Sequence, residues 1–451
     1  MLDFLRIAES YNKSGGIEIF PKFVVNTRSS DLMIRGGDFY AVWDERKNLW
    51  STNEQDLIDQ VDMSLQAYAD EKHANNPNRR IRWMWDSDSA SIDKWHRYVK
   101  SQMRDSWHRL DEKIVFSNET VKKEDYVTKI APYPLAKGDI TAYTTLFSAL
   151  YTPEQLRKLE WAVGSIFAGD SKRIQKFIVI YGDPGTGKST FLDLIELLFD
   201  GWLCHFEAKD LTRYNADFAL EPFRNNPLVA VQQDGDLSRI EDNTKLNSIV
   251  SHDSMILNAK FEKKYEVRFF AFLFLATNKA VRITDAKAGI IRRLIDVEPK
   301  GGKPFTYAEY FRLKNRLQYE LGAIAYHCLE VYKTLGEDYY ENYVPTSMIS
   351  ATNDFYNFML SKYDEYDKTD CVTRNAAWKD WKNYCEFAGV PMKPSLKVMQ
   401  VELAAYFDNY IAEYRDETGR HVRQLYSGFK RKKFEIGKEN DEKVPETTEK
   451  E

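Results

Sequence analysis

Five apolar residues, Phe177 to Tyr181, run directly into Gly182-Asp183-Pro184-Gly185-Thr186-Gly187-Lys188-Ser189-Thr190, and a second apolar pattern follows at once. The nine residues satisfy G-x-x-x-x-G-K-S/T, the spacing of a phosphate-binding loop set between a buried strand and a helix. Gly182, Gly185 and Gly187 permit the backbone turns that aim N–H groups inward at an anion. The helix that follows offers its positive end to the same anion. Lys188 has the reach for the β- and γ-phosphates of a nucleotide, and Ser189 has the hydroxyl that ligates Mg²⁺. Phe191, Leu192, Leu194, Ile195, Leu197 and Leu198 mark that helix as buried. The alternative is a plain glycine turn between a core strand and a core helix. The context favours a nucleoside-triphosphate site, with ATP and Mg²⁺ as its occupants.

The rest of the chain bounds this reading. Its 451 residues suffice for roughly two to four domains, and at 43% hydrophobic and 14% aromatic they can bury a large core. Lys and Arg number 64 against 69 Asp and Glu, a net charge of −5, so any nucleic-acid contact must be local. Cys204, Cys328, Cys371 and Cys385 show no C-x-x-C spacing and the seven histidines are scattered. That argues against a zinc site and fits a reducing cytosol. No apolar leader opens the chain, and its longest apolar run, Phe269 to Ala276, is too short to cross a bilayer, so no membrane is expected.

Elements follow from pattern. Phe39 to Trp50 reads as a hairpin, Ile58, Val61 and Leu65 mark a helix, and Asp93 to Leu110 looks helical. From Glu112 to Leu135 the chain reads as short strands and turns. Thr152-Pro153-Glu154-Gln155 is a helix start with a capping-box spacing, and that helix should run to Phe167. Leu228 to Val231, Phe269 to Ala276 and Leu294 to Val297 are further buried strands. With Phe177 to Tyr181 they imply a mostly parallel sheet covered on both faces, hence an α/β core. Ile240 to Val250 and Tyr307 to Leu335 read as helices, Met255 to Val267 as a charged hairpin, and Thr373 to Leu425 as helix, helix, hairpin.

Hydrolysis needs an acid at the end of another strand. Asp234 stands there, two polar residues beyond Val231, with Asp236 second; both have the alternative of capping the next turn. Asn278 ends the following strand, where an amide orients water and senses the γ-phosphate; a turn asparagine is the alternative. Arg292 and Arg293 precede the last strand. An arginine lent by a neighbouring subunit stabilises a transferring phosphoryl group, worth about 10³–10⁵ in rate, whereas surface solvation explains most arginine pairs.

In this order the features resemble the superfamily 3 helicases of the AAA+ class, found in small DNA viruses, phages and plasmids. The resemblance rests on GDPGTGKST, Asp234, the basic stretch LNAKFEKKYEVRF, FFAFLFLATN and IIRRLIDVEP, over about residues 180–300. A weaker resemblance extends upstream, where EKIVFSNETVKKEDYVTKIAPYPL is similar to the accessory region before the motor of phage and poxvirus primase-helicases. Pro184 and Thr186 depart from the glycine and asparagine usual in the phage branch, and Asp234 from its more frequent glutamate.

The resemblance implies an AAA+ P-loop core, an α+β N-terminal accessory domain and a C-terminal helical, winged-helix-like domain. It implies a homo-oligomeric ring, usually a hexamer, that hydrolyses ATP between subunits and draws single-stranded DNA through its pore at replication forks. A primase or polymerase would be a partner, and a phage-encoded chain would work in the host cytoplasm. By the same resemblance Lys188 and Ser189 hold phosphate and metal, Asp234 serves Mg²⁺ and water, Asn278 is the sensor, and Arg293, with Arg292 second, is lent to the neighbour. The expected division is 1–125 accessory domain, 126–170 collar, 171–300 motor, 301–370 helical region, 371–433 winged-helix-like domain and 434–451 disordered tail.

Lys260, Phe261, Lys263 and Lys264 sit on the charged hairpin and are the DNA-binding candidates of the pore; a solvated edge hairpin is the alternative. Leu396, Met399 and Leu403 give the winged-helix-like segment a buried face. Lys393, Lys397, Arg415, Arg420, Arg423 and Lys430 to Lys433 there face phosphates or merely solvent. Asp86 and Asp88 pose the question of a primase carboxylate pair, against simple helix caps. Two other functions remain open: an AAA+ loader or remodeller that hydrolyses ATP without unwinding, and a nucleotide-regulated origin-binding protein.

Overall fold

The computed structural model describes residues 2–24, 29–83, 93–95, 97–98, 104–211, 219–235, 244–257, 265–278, 280–281, 289–367, 369–391, 395–415 and 421–431. Asp86, Asp88, Asp236, Lys260, Phe261, Lys263, Lys264, Lys393, Arg420, Lys432, Lys433 and the tail 434–451 lie outside them. The chain forms two compact units, Met1–Leu135 and Ala136–Glu451.

In the first unit β1 (Leu5–Tyr11) and β2 (Ile17–Phe23) pair antiparallel. β3 (Leu32–Arg35), β4 (Asp38–Asp44) and β5 (Leu49–Ser51) form an antiparallel meander that contains the expected hairpin. Asn53 caps α1 (Glu54–Asn75) by accepting from Gln55 N. α1 turns Leu57, Ile58, Val61 and Leu65 into a core with Phe4, Phe23, Val42 and Trp95. β6 (Ile81–Trp83) adds in parallel to β2.

The helix expected up to Leu110 is not found over residues 104–110. Ser106 exchanges two backbone hydrogen bonds with Ile34, and the Asp105 carboxylate accepts from Gly36 N and Gly37 N. A strand edge and a loop thus take the groups a helix would have used.

The second unit opens with α2 (Thr141–Leu150) and α3 (Pro153–Phe167). Thr152 caps α3 by accepting from Gln155 N. The capping box is only half made, because Gln155 Oε1 accepts from Glu298 N and Lys158 Nζ instead. Then come β7 (Phe177–Tyr181), α4 (Lys188–Leu198), β8 (Leu203–His205), α5 (Ala208–Leu211), β9 (Val229–Gln232) and α6 (Thr244–Val250). β10 (Ser254–Leu257) and β11 (Tyr265–Arg268) make the expected hairpin. β12 (Phe272–Thr277) and β13 (Leu294–Val297) complete a five-stranded parallel sheet in the order β13-β7-β12-β9-β8. β7, β9, β12 and β13 are buried throughout, as apolar runs without alternation require.

Tyr307 to Leu335 is two helices, α7 (Tyr307–Leu317) and α8 (Leu321–Leu335), not one. The break falls at Glu320, whose buried carboxylate accepts from Ala142 N and Tyr143 N and so caps α2. α9 (Thr346–Thr352) and α10 (Asp354–Tyr363) lead to β14 (Cys371–Thr373), α11 (Arg374–Ala388), α12 (Leu396–Tyr406), β15 (Phe407–Arg415) and β16 (His421–Phe429). The last three strands form one antiparallel sheet, with β16 between β14 and β15. Met399 and Leu403 are fully buried. One continuous apolar core joins this end to the large sheet, from Phe177 and Leu275 through Phe358 and Trp381 to Phe429. Each such buried side chain is worth about 1.5–3 kcal/mol. Among the described residues no helix is long and apolar enough to cross a membrane.

Candidate functional site

The parallel sheet brings three strand ends together. β7 runs into the glycine loop, β9 into Gln233 and Asp234, and β12 into Asn278. β12 lies between β7 and β9, so Asn278 stands between the loop and the acid. Asn278 Nδ2 donates to Asp234 Oδ1 at 3.1 Å, and both residues are exposed.

The loop takes the shape its glycines permit. Gly185 and Gly187 have φ of 79° and 100°, a region costly for any residue with a Cβ. At Gly187 a Cβ would also lie 2.9 Å from Leu150 Cδ1, so the loop is packed as well as turned. Thr186 Oγ1 donates to the Asp183 carbonyl at 2.8 Å and closes the loop on itself. Gly187 provides no side-chain cap for α4, which leaves the first N–H groups of the helix to an outside acceptor.

Lys188 is buried, and its ammonium donates to the carbonyls of Gly182 at 2.7 Å and Asp183 at 2.8 Å. Burial lowers its pKa, while Asp234 and Asp183 act in the opposite direction. The cation is thus folded onto its own loop, beside the carboxylate of the acid strand. Ser189 is exposed, whereas Thr190 is buried and shares a 2.9 Å hydrogen bond with Tyr310.

A cavity of about 650 Å³ opens over these groups. Pro184, Gly185, Gly187, Lys188, Ser189, Thr190, Asp234 and Asn278 line it. So do residues that the sequence pattern did not single out: Leu150, Gln233, and Gly302 to Tyr307 with Tyr310. Tyr151, fully buried, meets the loop from behind, its hydroxyl donating to the Gly187 carbonyl at 3.2 Å. The one local signal was Thr306 with Glu309, a capping box that starts α7 among aromatic residues. Among the described residues no three His, Cys, Asp or Glu side chains cluster as a metal cage. A Mg²⁺ site on a nucleotide needs none, because the phosphates supply oxygens to one or two protein ligands. Ser189 and Asp234, exposed on one cavity, fit that donor set.

The two arginines are placed differently. Arg292 is exposed. Arg293 is 7% exposed, with Nε 2.9 Å from Ser251 Oγ and Nη1 donating to the Gly289 carbonyl at 2.7 Å. The residue placed first for a neighbour is therefore turned into its own fold, and the second is the exposed one. Burial and the nearby Arg292 lower the Arg293 pKa. Lys176 Nζ holds the Arg292 carbonyl and so fixes the turn that presents Arg292. In the C-terminal segment Arg423 pairs with Glu413 at 3.2 Å in an exposed position, and the half-buried Lys430 with Asp408 at 3.9 Å. Arg415 Nε donates to His421 Nε2.

A family of unknown function (DUF5906) matches residues 180–293, the stretch that carries the loop, the acid, the asparagine and both arginines. No curated protein matches the chain. Among solved structures it is similar to the apo structure of the NrS-1 C terminal region (305-718), at 13% identity and a TM-score of 0.40 over 66% of this chain and 78% of that one. The A form apo structure of the NrS-1 C terminal region gives 12% identity and a TM-score of 0.44, over 75% and 90%.

Proposed function

We propose that the chain hydrolyses ATP at the cavity over Lys188, as an AAA+ motor of the superfamily 3 kind that assembles into a ring and translocates on single-stranded DNA. The observation that carries the hydrolase reading is the Lys188 ammonium, held on two loop carbonyls beside a carboxylate and an amide from neighbouring strands. An ammonium so placed exchanges its carbonyls for phosphate oxygens, a charge-assisted and stronger partner. The N–H groups at the start of α4 add to the same anion site. Asn278 and Asp234 are coupled by one hydrogen bond, so the amide is oriented while the carboxylate keeps an oxygen for water. Ser189 and Asp234 would hold Mg²⁺, which neutralises phosphate charge when bound. Arg292, exposed on a turn that Lys176 fixes, is the better candidate for reaching a neighbouring subunit's phosphates. The ring and the strand translocation rest on the order of the sequence motifs and on the lysines of the hairpin between β10 and β11.

The test is ATP hydrolysis and fork unwinding by wild type, Lys188→Ala and Arg292→Ala, with sedimentation in ATP analogue and Mg²⁺. Expected are turnover, unwinding and assembly in wild type, and loss of turnover in Lys188→Ala. A protein that neither turns over ATP nor assembles ends the reading. Turnover without unwinding replaces the helicase by a loader or remodeller.

A further inference from the structure

We propose that the segment from Gly302 to Tyr310 is the nucleobase wall of this cavity, and that it holds a base by ring stacking with little discrimination between bases. The inference rests on the reading of the cavity as a nucleoside-triphosphate site. About 650 Å³ is room for a whole nucleotide, not for phosphates alone. The loop, Ser189 and Asp234 account for the phosphate part of the lining; Pro304, Phe305, Tyr307 and Tyr310 account for an aromatic and apolar part.

The wall is tied to the helix that follows the phosphate loop. Tyr310 is bonded to Thr190, and Lys314 Nζ pairs with Asp193 at 2.6 Å, so α7 is fastened to α4 at two points. Tyr307 is 80% exposed yet held with its ring centroid 4.4 Å from that of Phe311. An aromatic ring kept at the lip of a cavity offers a face to a planar ligand.

Three polar side chains of the wall, those of Thr306, Glu309 and Tyr310, are already engaged. Thr306 Oγ1 donates to Glu309 Oε2 and accepts from Glu309 N, while that carboxylate also accepts from Thr306 N. The Tyr310 hydroxyl is taken by Thr190. Beside Lys303 and the Tyr307 hydroxyl, the wall offers mainly ring faces, and these hold any base. A site built to bond a substrate's polar edge rejects the wrong analogue by about 10⁴–10⁵, and a stacking wall does not.

The test uses the full chain, as wild type, Tyr307→Ala, Tyr307→Phe and Phe305→Ala. ATP and GTP are compared as substrates, and ADP and inorganic pyrophosphate as calorimetric ligands. The KM values for ATP and GTP should agree within about fivefold. Each alanine variant should weaken ATP and ADP roughly 5- to 100-fold and leave pyrophosphate unchanged, with Tyr307→Phe like wild type. Tyr307 is so exposed that its loss leaves folding intact. A wild-type preference above about a hundredfold for one base overturns the proposal, as do alanine variants that bind ADP like wild type; both leave the hydrolase reading standing. A wild type that binds neither ADP nor pyrophosphate removes that reading, and the wall with it.

Discussion

Asn278 Nδ2 donates to Asp234 Oδ1 across 3.1 Å, tying together the chain segments that leave two adjacent parallel strands, β12 and β9. The pair faces the cavity in which Lys188 is bonded only to carbonyls of its own loop. One oxygen of Asp234 is thereby committed to Asn278.

Asp234→Asn keeps the shape of the pair and removes its charge. Turnover of ATP should fall by about 10²–10⁴, the range for loss of a positioned acid or base, with ADP affinity within a few-fold of wild type. Phosphate release and calorimetry measure the two halves. A variant that retains more than about a tenth of wild-type turnover removes Asp234 from the chemistry.

Gly187→Ala tests the packed turn. The new Cβ meets Leu150 Cδ1 at 2.9 Å in a backbone with φ of 100°. The expected cost is about 1–3 kcal/mol, seen as a lower melting temperature together with weakened ADP binding. Adding Leu150→Ala should relieve the clash and not the backbone strain, so rescue is partial. Complete rescue by Leu150→Ala would show that φ at this position is of no consequence.

The fold was legible where the physics is local. The run from Phe177 to Leu198 carries its own strand, turn and helix signals, and β7, the loop and α4 appear there. The closeness of Asp234 and Asn278 followed from apolar strands that demand a parallel sheet. What stayed hidden depends on partners distant in sequence. Glu320 interrupts a helical pattern because it caps α2, whose first residue lies 179 positions earlier in the numbering, Thr141 against Glu320. Arg293 turns inward because Ser251 waits for it, and no periodicity records that. Tyr151, just past α2, and Tyr310, on α7, brace the phosphate loop and the start of α4 from segments that the motif does not include.

The two arginines separate stability from assembly. Arg293→Ala leaves the Gly289 carbonyl and Ser251 Oγ without their donor, a cost of about 1–3 kcal/mol that thermal melting reads. Arg292→Ala should melt like wild type, because its side chain is exposed. On the ring reading it should lose most DNA-stimulated turnover, and mixing it with Asp234→Asn should restore part, since intact sites then form at mixed interfaces. Wild-type turnover by Arg292→Ala alone would refute its part in a neighbour's site.

A last prediction concerns pH. His327 Nε2, on α8, lies 2.9 Å from Glu160 Oε1 on α3, an oxygen that also accepts from the Tyr143 hydroxyl. The hydrogen bond to Glu160 raises the imidazole pKa above 6.5, with burial opposing. A group whose folded pKa is raised contributes stability that is complete below its unfolded pKa and is lost as pH climbs through the folded one. Tyr143 and Cys328 face the same carboxylate, and burial pushes both far upward, so neither titrates in this window. The melting temperature of wild type should exceed that of His327→Gln most at about pH 6, and the gap should narrow by about pH 8.5. A gap that stays constant across that range would mean the imidazole has the same pKa folded and unfolded, and a gap that widens with pH would mean it is held neutral; either outcome removes the charged pair with Glu160. α3 and α8 would then be joined by packing, with Trp161 against Tyr332, and not by charge.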